Sequence, residues 1–221
     1  MYVPEHFAAR DLATLHALMR AHSFATLVTA RVGEAPFATH VPLALDAERG
    51  EFGTLVGHVA RANPHWRAFD GETHALAVFS GPHAYVSARW YGSAAQVPTW
   101  NYVALHASGR PRVIDEPMHK LALLRGLMRE HDAALPEPAR ALGAGPRDLA
   151  DIPLAHVEKL YRGIVAFELP IEQLTGKRKL SQNKPPSERR ALIAGLEAAG
   201  SADARAIAAL MRADLAAGER A

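Results

Sequence analysis

Val97-Pro98-Thr99-Trp100-Asn101-Tyr102-Val103-Ala104-Leu105-His106 sets two large aromatics, a carboxamide and a hydroxyl just after a proline, then runs into alternating apolar residues. The alternation reads as a β-strand, and the polar, ring-rich first half reads as the entrance of a strand that faces a ligand. Rings offer a flat apolar surface, while Thr and Asn offer donors and acceptors that orient a polar heterocycle. Read alone, the stretch is equally compatible with Trp100 and Tyr102 as core aromatics. The sequence on either side bears on that choice.

Upstream, Thr73 to Ser80 and His83 to Trp90 read as two strands parted by Gly81-Pro82, and Glu51 to Val59 as another. Phe24 to Val32 and Ala35 to Leu45 read as a hairpin about Gly33-Glu34. Pro36 and Pro42 belong at strand ends or edges. Before them, Leu12, Leu15, Leu18 and Met19 recur at helical spacing over residues 9–22. Downstream, Leu121, Leu124, Leu127 and Met128 restore helical spacing over Pro117 to Asp132, with Pro117 near the start. Residues 134–150 read as a loop excursion, followed by a short helix around Leu154 to Tyr161 and a last strand, Gly163 to Leu169. Strands joined by short connections without a βαβ rhythm predict an α+β chain, mainly β: an antiparallel barrel, closed or nearly so, with peripheral helices. The expected division is a barrel domain over 1–174 and a basic segment with a helical tail over 175–221, where Ser187 is the expected helix N-cap.

Composition narrows the function. The 221 residues are 49% hydrophobic, enough for a real core, and the net charge of +2 is too small to argue for wholesale nucleic-acid binding. Cysteine is absent, which removes disulfides, thiolate catalysis and Cys-based zinc or iron–sulfur sites and suits a reducing compartment. With no export signal and no apolar run long enough for a bilayer, a soluble, cytoplasmic protein is expected.

Two further stretches carry charge with polar neighbours. Gly57-His58-Val59-Ala60-Arg61-Ala62-Asn63-Pro64-His65-Trp66 brings an Arg and an amide to a turn that enters a short helix at Pro64, an arrangement suited to a phosphate, although a solvated Arg at a helix start has the same sequence. Lys177 to Lys184 mixes cations with Gln182 and Asn183; a solvated basic linker has the same composition. The 12 histidines show no His-Glu-x-x-His spacing, so no metal site is expected. A Rossmann glycine fingerprint, a P-loop and a Gly-x-Ser-x-Gly elbow are absent as well.

In order, Met1 to Phe7 (MYVPEHF), Gly57 to Trp66, Phe79 to Tyr91 (FSGPHAYVSARWY), Val97 to Tyr102 and Lys179 to Lys184 (KLSQNK) resemble the PaiB family of FMN-binding negative transcriptional regulators. The resemblance runs from the first residues to about residue 190. This chain has Ala88-Arg89 where a Pro-Ser type dipeptide is common. The resemblance implies an FMN-binding split barrel similar to pyridoxamine-phosphate oxidases, working as a homodimer with flavin at the subunit interface. It implies Arg61 and Asn63 at the flavin phosphate with His58 nearby, Thr99, Trp100 and Asn101 at the ring, and Lys179, Gln182 and Asn183 closing the site. Ser87, Trp90 and Tyr91 are weaker candidates. No essential acid or base is assigned. The basic segment after Thr175 is the possible DNA contact, giving salt-dependent affinity. The alternatives are a flavin-dependent oxidoreductase or reductase and, more weakly, a haem-binding split barrel.

Overall fold

Caps and prolines set where the elements begin. In the computed structural model, which describes residues 1–92, 96–143 and 148–218, the chain runs β1 (Ala8–Ala9), α1 (Leu12–Ala21), β2 (Phe24–Thr29), β3 (Phe37–Pro42), β4 (Ala44–Asp46) and β5 (Thr54–Ala60). Next come β6 (Ala75–Val86), β7 (Thr99–Gly109), β8 (Arg112–Val113), α2 (Pro117–Ala134), α3 (Glu137–Arg140) and α4 (Leu154–Arg162). Last are β9 (Ile164–Lys179), α5 (Pro186–Ala199) and α6 (Ala202–Gly218). The Asp11 side chain caps α1 by accepting from the Thr14 amide at 2.8 Å. Glu116 caps α2, with Pro117 in its first turn as expected. For α5 the expected cap at Ser187 is not the one used: Pro185 holds the cap position and Pro186 the first turn, where a missing N–H costs nothing.

The strands form one nine-stranded sheet in the order β3-β2-β6-β7-β9-β5-β4, with β1 and β8 also pairing with β9. Pairings β1–β9, β2–β3, β4–β5, β5–β9 and β8–β9 are antiparallel. The expected hairpin is β2 with β3, in a register from Phe24 opposite Pro42 to Thr29 opposite Phe37. Two expectations are corrected. The strands predicted on either side of Gly81-Pro82 are one strand, β6, because Gly81 serves close approach: a Cβ there would lie 3.0 Å from Val103 Cβ and 3.1 Å from its carbonyl oxygen. The last strand continues past Leu169 to Lys179, so Lys177, Arg178 and Lys179 belong to a strand and not to a linker. The stretch 134–150 contains α3 and the start of a 3-10 turn at Leu149–Asp151, while residues 144–147 lie outside those described.

The chain divides into two compact units. The first comprises Met1–His22, Val78–His106 and Leu174–Ala221. Its core joins Val86, Tyr91 and Leu180 to Leu192 and Leu196 of α5 and Ile207 and Met211 of α6. Gly195 lets α5 lie against Trp90, whose ring would be 2.4 Å from a Cβ at that position. The second comprises Ser23–Ala77 and Ala107–Gln173; there Ile114, Leu123, Leu127 and Ala166 pack with Val56. Among the described residues, no helix is long and apolar enough to cross a membrane.

Candidate functional site

Within the second unit, the turn after β5 is built as its sequence suggests. Asn63 caps the 3-10 turn Pro64–Ala68 by accepting from the His65 amide at 3.0 Å, and its Nδ2 donates to Thr39 Oγ1 at 3.1 Å. His65 is 3% exposed, with Nδ1 2.8 Å from Thr39 Oγ1 and Nε2 3.0 Å from Thr29 Oγ1. Burial pushes its pKa below the ordinary imidazole value, so the ring bridges two hydroxyls in its neutral form. Beside it opens a cavity of about 190 Å³ lined by residues that include Thr29, Arg31, Glu34, Phe37, His65 and Arg67. Arg31 donates to the Arg67 carbonyl and reaches Asp70 at 3.5 Å. Backbone N–H groups, foremost that of Thr73, hold the Asp70 carboxyl down at about 2. The Arg67 guanidinium lies 5.6 Å from the Trp66 ring centroid and pairs with no carboxylate among the described residues.

Arg61 sits elsewhere in this unit. Its Nε donates to the Arg162 carbonyl at 2.9 Å and its terminal nitrogen to that of Ile164 at 3.0 Å, closing the junction of α4 and β9. His58 shares a face of β5 with Val56; its buried Nδ1 has no hydrogen-bond partner, and burial lowers its pKa.

In the first unit, the stretch Thr99 to Leu105 alternates as expected. Trp100 is 53% exposed, whereas Asn101, Val103 and Leu105 point inward. Asn101 is 0% exposed, and its Nδ2 donates to Ser181 Oγ at 3.0 Å and to Met211 Sδ at 3.4 Å. Lys179 Nζ donates to Thr99 Oγ1 at 2.5 Å and to the Trp100 carbonyl at 2.7 Å, so these three residues form one cluster. Burial first, and then the charge of Lys177, pushes the Lys179 pKa down. Gln182 bonds within its own turn, accepting from the Leu180 amide at 2.8 Å and donating to the Arg178 carbonyl at 2.6 Å, while Asn183 is exposed. Ser181 at the centre of that turn has φ 60°, a left-handed conformation that costs a non-glycine residue about 1 kcal/mol or more. Of the weaker candidates, the Ser87 hydroxyl caps the turn at Ala88–Trp90, Trp90 packs on Gly195, and Tyr91 lies in the core.

The residues expected at a ligand thus fall into two groups. Thr99, Trp100 and Lys179 come together in one unit; Asn63 belongs to the cavity turn of the other, where Arg61 and His58 face different surroundings. The sequence reading missed Thr29, Arg31, Phe37 and Arg67. Arg31 and Arg67 are 36 residues apart, and no local spacing links them.

A family profile described as "Putative FMN-binding domain" matches residues 1–173. Among curated proteins, "Protease synthase and sporulation protein PAI 2" of Bacillus subtilis (strain 168) is 32% identical over 213 residues, 96% of each chain. Among solved structures, the flavocytochrome Anf3 from Azotobacter vinelandii superposes with a TM-score of 0.55 at 20% identity, over 80% of this chain and 72% of that one. The FAD and heme binding protein from Mycobacterium smegmatis gives 0.55 at 19% identity, over 88% and 80%. These likenesses show the fold, the α+β split barrel.

Proposed function

The chain belongs to the PaiB family of FMN-binding proteins, and from that premise we propose that it binds FMN with the phosphate in the cavity beside His65 and acts as a flavin-dependent negative regulator of transcription. One observation carries the phosphate assignment: Arg67 has no carboxylate partner and lines the same cavity as Arg31 and the Thr29 hydroxyl. Guanidinium groups and a hydroxyl are the donors a phosphate dianion needs, and a neutral His65 between two threonines holds that wall in place. Asn63 shapes the turn and Arg61 fixes the strand behind it. FMN supplies one- and two-electron chemistry when bound. Thr99, Trp100 and Lys179 are the ring-side residues of this reading, from whichever subunit of a homodimer supplies them. The Bacillus relative, named for protease synthesis and sporulation, supports the regulatory half.

The basic segment does not by itself support a DNA contact. Lys177 donates to the Tyr2 carbonyl, Lys179 to Thr99 and Trp100, Lys184 to Gln96, and Arg189 pairs with Asp214. Titration with FMN and with riboflavin tests the phosphate seat. Arg67→Ala weakens FMN binding by about tenfold or more and leaves riboflavin unchanged, as loss of a charged hydrogen bond requires. Equal FMN affinity in the variant, or none in the wild type, overturns the reading. Mobility shifts of DNA that depend on flavin oxidation state support the regulator; bleaching of the flavin by a nicotinamide donor with no DNA shift replaces it with an oxidoreductase.

A further inference from the structure

Two neighbouring lysines without a carboxylate partner among the described residues lie at the end of β9. Lys177 and Lys179 occupy the same face of the strand. Lys177 is 7% exposed; its ammonium lies 5.2 Å from the Tyr102 ring centroid and 5.6 Å from that of Tyr2, and donates to the Tyr2 carbonyl at 3.1 Å. Thr99 and the Trp100 carbonyl hold Lys179. Hydroxyls, carbonyls and ring faces orient an ammonium without carrying a formal negative charge, and no carboxylate among the described residues pairs with either lysine. Of the other charges withdrawn from solvent, Glu168 is matched by Arg49 and Arg112 and Arg189 by Asp214, while Lys120, with no carboxylate partner among the described residues, lies 6.0 Å from the Tyr161 ring centroid.

Two adjacent cations, one nearly buried and neither neutralised, are stable together only at a cost that an anion would remove. The surroundings say what kind of anion. Trp100 presents a half-exposed ring at the same cluster, with Tyr85 edge-on to it at 6.0 Å between centroids. Flat rings beside ammonium groups fit a planar molecule with a carboxylate or phosphate at its edge.

We propose that Lys177 and Lys179, with Trp100 and Tyr102, seat a small planar aromatic anion as a second ligand, distinct from FMN. The proposal rests on the flavin reading in one respect: Thr99, Trp100 and Lys179 are also its ring-side residues, so the anion is the molecule that meets the flavin there. Lys177 has no part in the phosphate cavity and is the residue specific to the second ligand.

Calorimetric titration with salicylate and its neutral isostere salicylamide, into flavin-free and FMN-saturated protein, tests it. Salicylate is expected to bind FMN-saturated protein about tenfold or more tightly than salicylamide, and to weaken with added salt while salicylamide does not. Lys177→Gln removes that preference with FMN affinity intact, and Lys177→Arg restores it. The proposal is overturned if the two probes bind alike, if a folded Lys177→Gln protein binds salicylate as the wild type does, or if salicylate displaces FMN. Should Lys177→Gln fail to fold, the salt dependence in the wild type decides. A wild type that discriminates between the probes yet takes up no FMN sinks the flavin reading and keeps the anion seat.

Discussion

Glu168 and Lys177 are both charged, both on β9 and both nearly withdrawn from water, at 6% and 7% exposure, yet their surroundings are opposite. Glu168 accepts from Arg49 at 2.6 Å and from Arg112 at 2.6 Å. Burial alone would raise its pKa, but the hydrogen bonds and charges of the two arginines outweigh it and leave the carboxyl below its ordinary value. Lys177 has two aromatic rings and a carbonyl, and the neighbouring charge is the like charge of Lys179. A matched buried charge belongs to the architecture. The adjacent, unmatched pair Lys177 and Lys179 is the charge that the proposed second ligand would neutralise.

Stripping Glu168 of its partners gives the largest expected effect. The Arg49→Met/Arg112→Met double variant leaves a buried carboxylate unpaired and loses about 3–5 kcal/mol at neutral pH in denaturant unfolding. Its pH dependence has a definite sign. In the wild type the folded pKa is lowered, so the stabilisation is present above the ordinary carboxyl value of 4.5 and is lost as pH falls through the folded value. In the variant, burial without partners raises the folded pKa, so the two stability curves converge in acid. Parallel curves down to the acid limit would show that the arginines do not hold the carboxylate.

An intermediate effect is expected at Asn101. Replacing it with Ala removes both hydrogen bonds between Asn101 and the buried Ser181 hydroxyl and opens space beside Met211, at a cost of about 2 kcal/mol. The smallest effect, opposite in sign, is expected at Lys177. Without ligand, Lys177→Met relieves like-charge repulsion and changes stability by about 0 to 1 kcal/mol in the favourable direction. A loss of more than about 2 kcal/mol would place Lys177 with Glu168 among the architectural charges and end the contrast.

The sequence exposes features that are local and hides those that are not. Pro64 and Pro117 open their turns because a proline's fixed φ and missing N–H suit a first helical position wherever it occurs. The alternation from Thr99 through Leu105 survives intact because a strand's period belongs to the strand itself. Gly81 was misread because its lack of a side chain answers to Val103, a neighbour across the sheet, and not to a turn. The C-terminal end of β9 differs for a similar reason: the basic run from Thr175 reads as a separate segment, but Ala8 pairs with Lys177 and Ala9 with Gly176. Within the candidate site, exposed Trp100 and half-buried Lys179 were legible as a motif. The cavity was not, since Thr29, Arg31 and Arg67 meet only through the fold. Asn101 and Gln182, expected at the ligand, also hydrogen-bond about the left-handed turn at Ser181, Asn101 to the Ser181 hydroxyl and Gln182 to the Arg178 carbonyl.

The placement of Lys177 and Lys179 on a strand also limits how this face can change by descent. Gly176 lies against Leu15 and Ala9, and Leu180 is in the core, so one residue inserted or deleted between Lys177 and Lys179 would put the two ammonium groups on opposite faces of the strand. A length change there would break up the proposed seat. New ligand preferences can arise there by exchanging one side chain for another, with the spacing between the two lysines preserved.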